Sequence, residues 1–134
     1  MTVNNFRDLK VWQAAMELVS SIYRVTQSFP AQEIYGLTSQ MRRAAVSVPS
    51  NIAEGHTRES TKEFLHHISM AQASLAELQT QIEIAAMLHY LPDGANQLLN
   101  SSTSLSKQLY ALRNGLAKNL PQTAIPQPRI RKEA

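Results

Sequence analysis

The stretch YGLTSQMRRAAVSVPSNIAEG, residues 35 to 55, decides how the chain folds. Ile34 just before it and Leu37, Met41, Ala44, Val48 and Ile52 within it recur at helical spacing, predicting one apolar face with Ala45 at its edge. Stepping round the helix by about 100° per residue puts Ser39, Arg43, Val46, Ser47, Ser50 and Ala53 on the opposite side. A solvated face usually carries long charged side chains, whereas this one is mostly small. It therefore admits a second helix at close range, from the same fold or from another subunit. Pro49 costs the hydrogen bond to the Ala45 carbonyl and predicts a kink, with Ser50 and Asn51 placed to satisfy the disturbed backbone. Gly55 is the expected C-cap. Arg42, on the flank, and Arg43, facing outward, suit carboxylates across a helix or subunit boundary as well as they suit phosphates.

On the N-terminal side, a first helix is expected from Phe6–Asp8 to about Phe29. Val11, Ala15, Leu18, Ile22, Val25 and Phe29 form a heptad seam beside a second row containing Trp12 and Tyr23. Pro30 ends it. On the C-terminal side, Ser60-Thr-Lys-Glu63 is a capping box that opens a third helix. Phe64, Ile68, Ala71, Leu75, Leu78, Ile82 and Ala85 make that helix's core seam. Ile84, Met87, Leu88 and Leu91 form a second apolar set pointing largely away from the first. A helix apolar on two sides is buried on two sides, so Val46, Ser50, Ala53, Ile84, Met87, Leu88 and Leu91 are the candidate oligomer interface. Leu91-Pro92-Asp93-Gly94 is turn chemistry. A fourth helix is expected from about Asn96 to Leu120, buried through Leu98, Leu105, Leu109, Leu112 and Leu116, with the serine-rich run 101–104 fraying or bending it. Four helices with short connections predict an all-α, antiparallel up-down four-helix bundle over residues 1–120.

Composition agrees with that reading and narrows function. In 134 residues there are 4 Gly, 6% aromatics and no cysteine, which favours helices and excludes a disulfide framework or a thiolate zinc site. The N-terminus lacks the apolar run of a secretory signal, and no stretch is apolar enough to span a membrane, so a cytoplasmic protein is expected. The formal charge is +3, but residues 121–134 alone contribute a net +2. That segment, PQTAIPQPRIRKEA, reads as a disordered, basic, proline-containing tail. The candidate nucleic-acid contacts in the body are Arg42, Arg43, Arg58, Lys62, Lys107, Arg113 and Lys118.

Catalytic patterns are fragmentary. His66 and His67 are adjacent and diverge on a helix. Glu63-x-x-His66 is half of a dimetal carboxylate signature whose second half is missing, and Ser104-x-x-Lys107 lacks the motifs that accompany a Ser/Lys nucleophile. No glycine-rich phosphate loop is present. The residues therefore predict a non-enzymatic protein without metal or cofactor.

FRDLKVWQAAMELV, YGLTSQMRRAAVSVPSNIAEG, KEFLHHISMAQASLAELQTQIEIA and the LHYLP turn resemble the four-helix-bundle family of 23S rRNA intervening-sequence proteins, closely over residues 6 to 92 and loosely over the fourth helix. The resemblance implies an antiparallel four-helix bundle assembled as a ring-like homopentamer. It extends to accessory proteins of diversity-generating retroelements, which use a basic surface on such a barrel to bind nucleic acid and a reverse transcriptase. The body of this chain is closer to neutral. Three functions follow as expectations: a homo-oligomer that binds RNA or DNA, an assembly scaffold or adaptor with no nucleic-acid role, and a metal-dependent enzyme built on Glu63 and His66.

Overall fold

The computed structural model describes residues 5–93, 95–118 and 120; the predicted tail 121–134 and the turn residue Gly94 lie outside the described residues. Those described form four helices and no strand: α1 (Lys10–Thr26), α2 (Leu37–Thr57), α3 (Thr61–Met87) and α4 (Ala95–Ala117). Single 3-10 turns, Phe6–Asp8 and Ala31–Glu33, precede α1 and α2. Each helix packs on the next, α4 returns to α1, and α2–α3 is the most extensive pairing. Along α2 and α3 the contacts Ser47–Ser74, Asn51–His67 and Gly55–Phe64 step in opposite chain directions, and short connections join the other packed successive helices, so neighbours are antiparallel. The predicted seams close one core, in which Ile22, Met41, Ile52, Ile68, Leu78, Ile82 and Leu109 are fully buried.

The ends of the helices differ from expectation for local reasons. Leu9 is extended, so α1 begins at Lys10 rather than continuing from Phe6. At its far end the Thr26 hydroxyl donates to the Ile22 carbonyl (2.7 Å), and α1 stops three residues before Phe29. Phe29 instead turns inward, its ring 5.3 Å from that of Tyr90. Helix α2 begins at Leu37, leaving Ile34 and Tyr35 exposed outside it; the predicted apolar face starts one turn later. One Glu33 carboxylate oxygen accepts from the Leu37 amide (3.3 Å) and the other from the Tyr90 hydroxyl (2.9 Å). An anion is thus held at the α2 N-terminus, where the helix dipole favours it. That hydrogen bond first, then desolvation and the Glu33 charge, hold the Tyr90 hydroxyl above the usual phenol range.

Helix α2 runs on through buried Pro49. The Asn51 side-chain amide donates to the Ser47 carbonyl (2.9 Å) rather than to the Ala45 carbonyl that Pro49 leaves without its donor, and Ser50 is exposed. Gly55 is not a C-cap: it lies inside α2, and no described glycine has positive φ. A Cβ there would sit 2.6 Å from His67 Cβ and 2.9 Å from Phe64 Cδ1, so glycine is required by the approach of α3. The serine half of the capping box forms, with Ser60 Oγ accepting from the Glu63 amide (3.0 Å). The run 101–104 stays helical; buried Ser102 donates to the Leu99 carbonyl (2.9 Å) and so carries no unpaired hydroxyl into the α3–α4 contact. Helix α4 ends at Ala117 rather than Leu120.

Helix α3 terminates in a Schellman arrangement, with Tyr90 N–H bonded to the Ala85 carbonyl and His89 N–H to the Ala86 carbonyl. His89 takes the left-handed position (φ 62°) that glycine usually fills. Replacing His89 by glycine is expected to raise stability by about 1 kcal/mol, read as a higher urea midpoint at unchanged slope.

Candidate functional site

The predicted surface residues separate into groups once the helices are packed. Arg42 is half-buried and already engaged. Its Nε donates to Thr26 Oγ1 (2.9 Å), one terminal nitrogen reaches the Tyr23 carbonyl (3.5 Å), and the guanidinium stacks 4.6 Å from the Tyr23 ring centre. A cation from α2 therefore closes the last turn of α1, whose carbonyls lack intrahelical donors. The geometry makes Arg42 a tie between helices, with Nε and one terminal nitrogen engaged by α1. Arg42→Ala is expected to lower stability by about 2 kcal/mol, because a charge-assisted bond and a stacked cation are lost together. Lysine should restore little of this, since it lacks the planar fork; urea melts of both variants check the point.

Arg43 is exposed on the outer face of α2, and Lys107 is exposed midway along α4. Arg58 and Lys62 come together at the α2–α3 turn. With Ser60, Glu63, His66 and His67 they line an open depression of about 570 Å³. The antiparallel packing brings the last turn of α4 to this same end, with Arg113 half-buried and Lys118 exposed. Glu63 and His66 are exposed on the rim, and among the described residues no group of three or more His, Asp or Glu is placed to hold a metal ion.

Behind the depression lies a polar chain between α2 and α3. His67 Nδ1 donates to Asn51 Oδ1 (3.2 Å), the Asn51 amide nitrogen also reaches Ser47 Oγ (3.1 Å), and Ser47 Oγ lies 2.8 Å from Ser74 Oγ. The Glu54 carboxylate stands 3.8 Å from the same His67 nitrogen. Sequence reading put Ser47 on the outward small face and did not find this chain. Its signal is polar residues one heptad apart on α3, His67, Ser74 and Gln81, bordering the apolar seam of that helix. Because buried polar groups need partners, this chain fixes the register of α2 against α3.

The candidate interface residues also divide. Ile84 (40% exposed), Leu88 (47%) and Met87 (76%) stand outward, as do Val46 and Ser50, while Ala53 is half-buried. Leu91, expected in the same outward set, is 7% exposed and belongs to the chain's own core: α3 has already ended, and the turn through His89 folds it inward. Ile34 and Tyr35, absent from the predicted interface, are exposed at the same end of the bundle, joined to the α3–α4 connection by the Glu33–Tyr90 bond.

No helix among the described residues is long and apolar enough to cross a membrane. A comparison with curated proteins finds no match. The family model for the 23S rRNA-intervening sequence protein matches residues 7–111, a span that contains α1, α2, α3 and most of α4. The matched span includes two contacts that tie the helices together, from Arg42 of α2 to α1 and from Gly55 of α2 to α3, and the chain belongs to the family of 23S rRNA-intervening sequence proteins.

Proposed function

We propose that this chain is a non-enzymatic cytoplasmic protein that assembles with copies of itself, as the ring of five that its family resemblance implies, and that the assembly associates with nucleic acid. The observation that carries assembly is the exposed apolar side chains at one end of the bundle, Ile84, Met87 and Leu88 on α3 and, at that same end, Ile34 and Tyr35. Large apolar side chains grouped in this way favour burial against a partner surface. A second copy of the chain supplies one without requiring another protein. Light scattering on the purified protein should give a mass near five times the 15.0 kDa of one chain; a mass of 15.0 kDa would overturn the assembly. The nucleic-acid part is supported by the exposed cations Arg58, Lys62 and Lys118 at the opposite end. The same apolar surface also favours a scaffold with no nucleic-acid role. An assembled protein that binds neither RNA nor DNA at low salt would decide for the scaffold.

A further inference from the structure

We propose that the α2–α3 end of the bundle is the face that meets the phosphodiester backbone, with Arg58 and Lys62, on the rim of the depression beside His66, as its central contacts. This rests on the nucleic-acid reading above and adds a location that neither the sequence nor the family assigns.

Charge is distributed unevenly along the bundle axis. The start of α1, the α2–α3 turn and the last turns of α4 share one end, where Arg7, Lys10, Arg58, Lys62, Arg113 and Lys118 face four acidic residues, Asp8, Glu54, Glu59 and Glu63. At the other end Arg24, Arg42 and Arg43 are balanced by Glu33, Glu83 and Asp93, and Arg42 is committed to α1. Between the ends, Lys107 is outnumbered by Glu17 and Glu77. The positive excess of the described chain therefore sits wholly at the α2–α3 end. Because charges in physiological salt are screened within about 8 Å, this local excess, and not the small net charge of the whole chain, is what a polyanion meets.

The shape suits the same partner. Lys62 and His66 lie one turn apart on α3, with Arg58 beside them at the end of α2. The depression they line is open, so a polymer can cross it without threading an end. Glu63 interrupts the rim and disfavours an isolated anion bound deep in the depression; a backbone that places phosphates along the surface can pass it. In an assembly the face recurs once per copy, so weak individual contacts add.

The test uses the full chain with labelled oligouridine and the matching oligothymidine, followed by fluorescence anisotropy across a salt series. Lys62→Glu should weaken binding about tenfold at low salt and reduce the slope of log affinity against log salt by about one. A glutamate in the first turn of α3 favours that helix, so the loss cannot be attributed to unfolding. Arg24→Glu makes the same charge change at the opposite end and should alter affinity less than about threefold. Equal weakening by both variants, or loss only with Arg24→Glu, would overturn the location and leave the nucleic-acid reading standing. Wild-type protein that binds neither polymer at low salt would overturn both. Equal affinity for the two polymers supports contact through the backbone alone, and preference for oligouridine supports backbone contact with an added 2′-hydroxyl.

Discussion

Gly55→Val should destabilise the protein by about 3 kcal/mol, and Gly55→Ala by about 1–2 kcal/mol, although alanine is the better helix former. Two effects oppose each other. Glycine in a helix interior costs about 1 kcal/mol relative to alanine, which alone predicts stabilisation. Against this, the new Cβ would lie 2.6 Å from His67 Cβ and 2.9 Å from Phe64 Cδ1. The first of these atoms is fixed to the α3 backbone and cannot rotate away, so α3 itself must shift. That shift would also stretch the His67–Asn51 bond on the adjoining turn. Valine adds branched bulk at the same point, and overpacking of this kind typically costs 1–3 kcal/mol. Urea denaturation of both variants decides the matter. A rise in stability for Gly55→Ala would mean that the helices are not held this closely.

Leu88→Glu and Ile84→Glu are each expected to dissociate the assembly while leaving helix content intact. Both side chains are partly exposed in a single chain, so the change costs the monomer little. Within an interface it removes a leucine- or isoleucine-sized burial and adds a charge that must stay hydrated, a loss of about 3 kcal/mol per contact and roughly a hundredfold in association. Glutamate near the C-terminus of α3 also meets the wrong end of the helix dipole. Met87→Lys separates the two effects, since a cation there suits the dipole but still breaks an apolar contact. Loss of mass by light scattering in all three variants, at unchanged circular dichroism, is the expected result. Unchanged mass would show that this face stays outside the assembly.

These two regions also mark where sequence reading succeeded and where it stopped. The core of α3 was legible residue by residue, because Ile68, Ala71, Leu75, Leu78, Ile82 and Ala85 repeat at helical spacing and all six are buried. The small face of α2 was expected to admit a second helix, but Arg43, Val46 and Ser50 on it are exposed in the single chain, and Gly55 within the same stretch, where α3 does approach, looked like a stop signal. A glycine that ends a helix and one that admits a neighbour are alike in sequence; only the position of Phe64 and His67 distinguishes them. Leu91 was misplaced because its spacing from Ile84 and Leu88 continues a helix that had ended. Seven cations were visible as candidates, but that four of them, Arg58, Lys62, Arg113 and Lys118, share one end was not, since it depends on how the antiparallel helices bring residues from three segments together.

By itself, the sequence determined the four helices, their buried faces, the serine cap of α3 and membership of the family. Each of these is written in local spacing or in a continuous string of residues. Tertiary structure alone decided that Arg42 serves α1 rather than a phosphate, that Gly55 is a contact point, that Leu91 is core, and that the positive excess gathers at the α2–α3 end. These depend on distances between residues far apart in the chain, such as Arg42 and Thr26 or Tyr90 and Glu33, which a helical period cannot encode. The arginines of residues 35–55 show the division most clearly. Their positions on the helix follow from 3.6 residues per turn, but what they touch is set by the helix packed alongside.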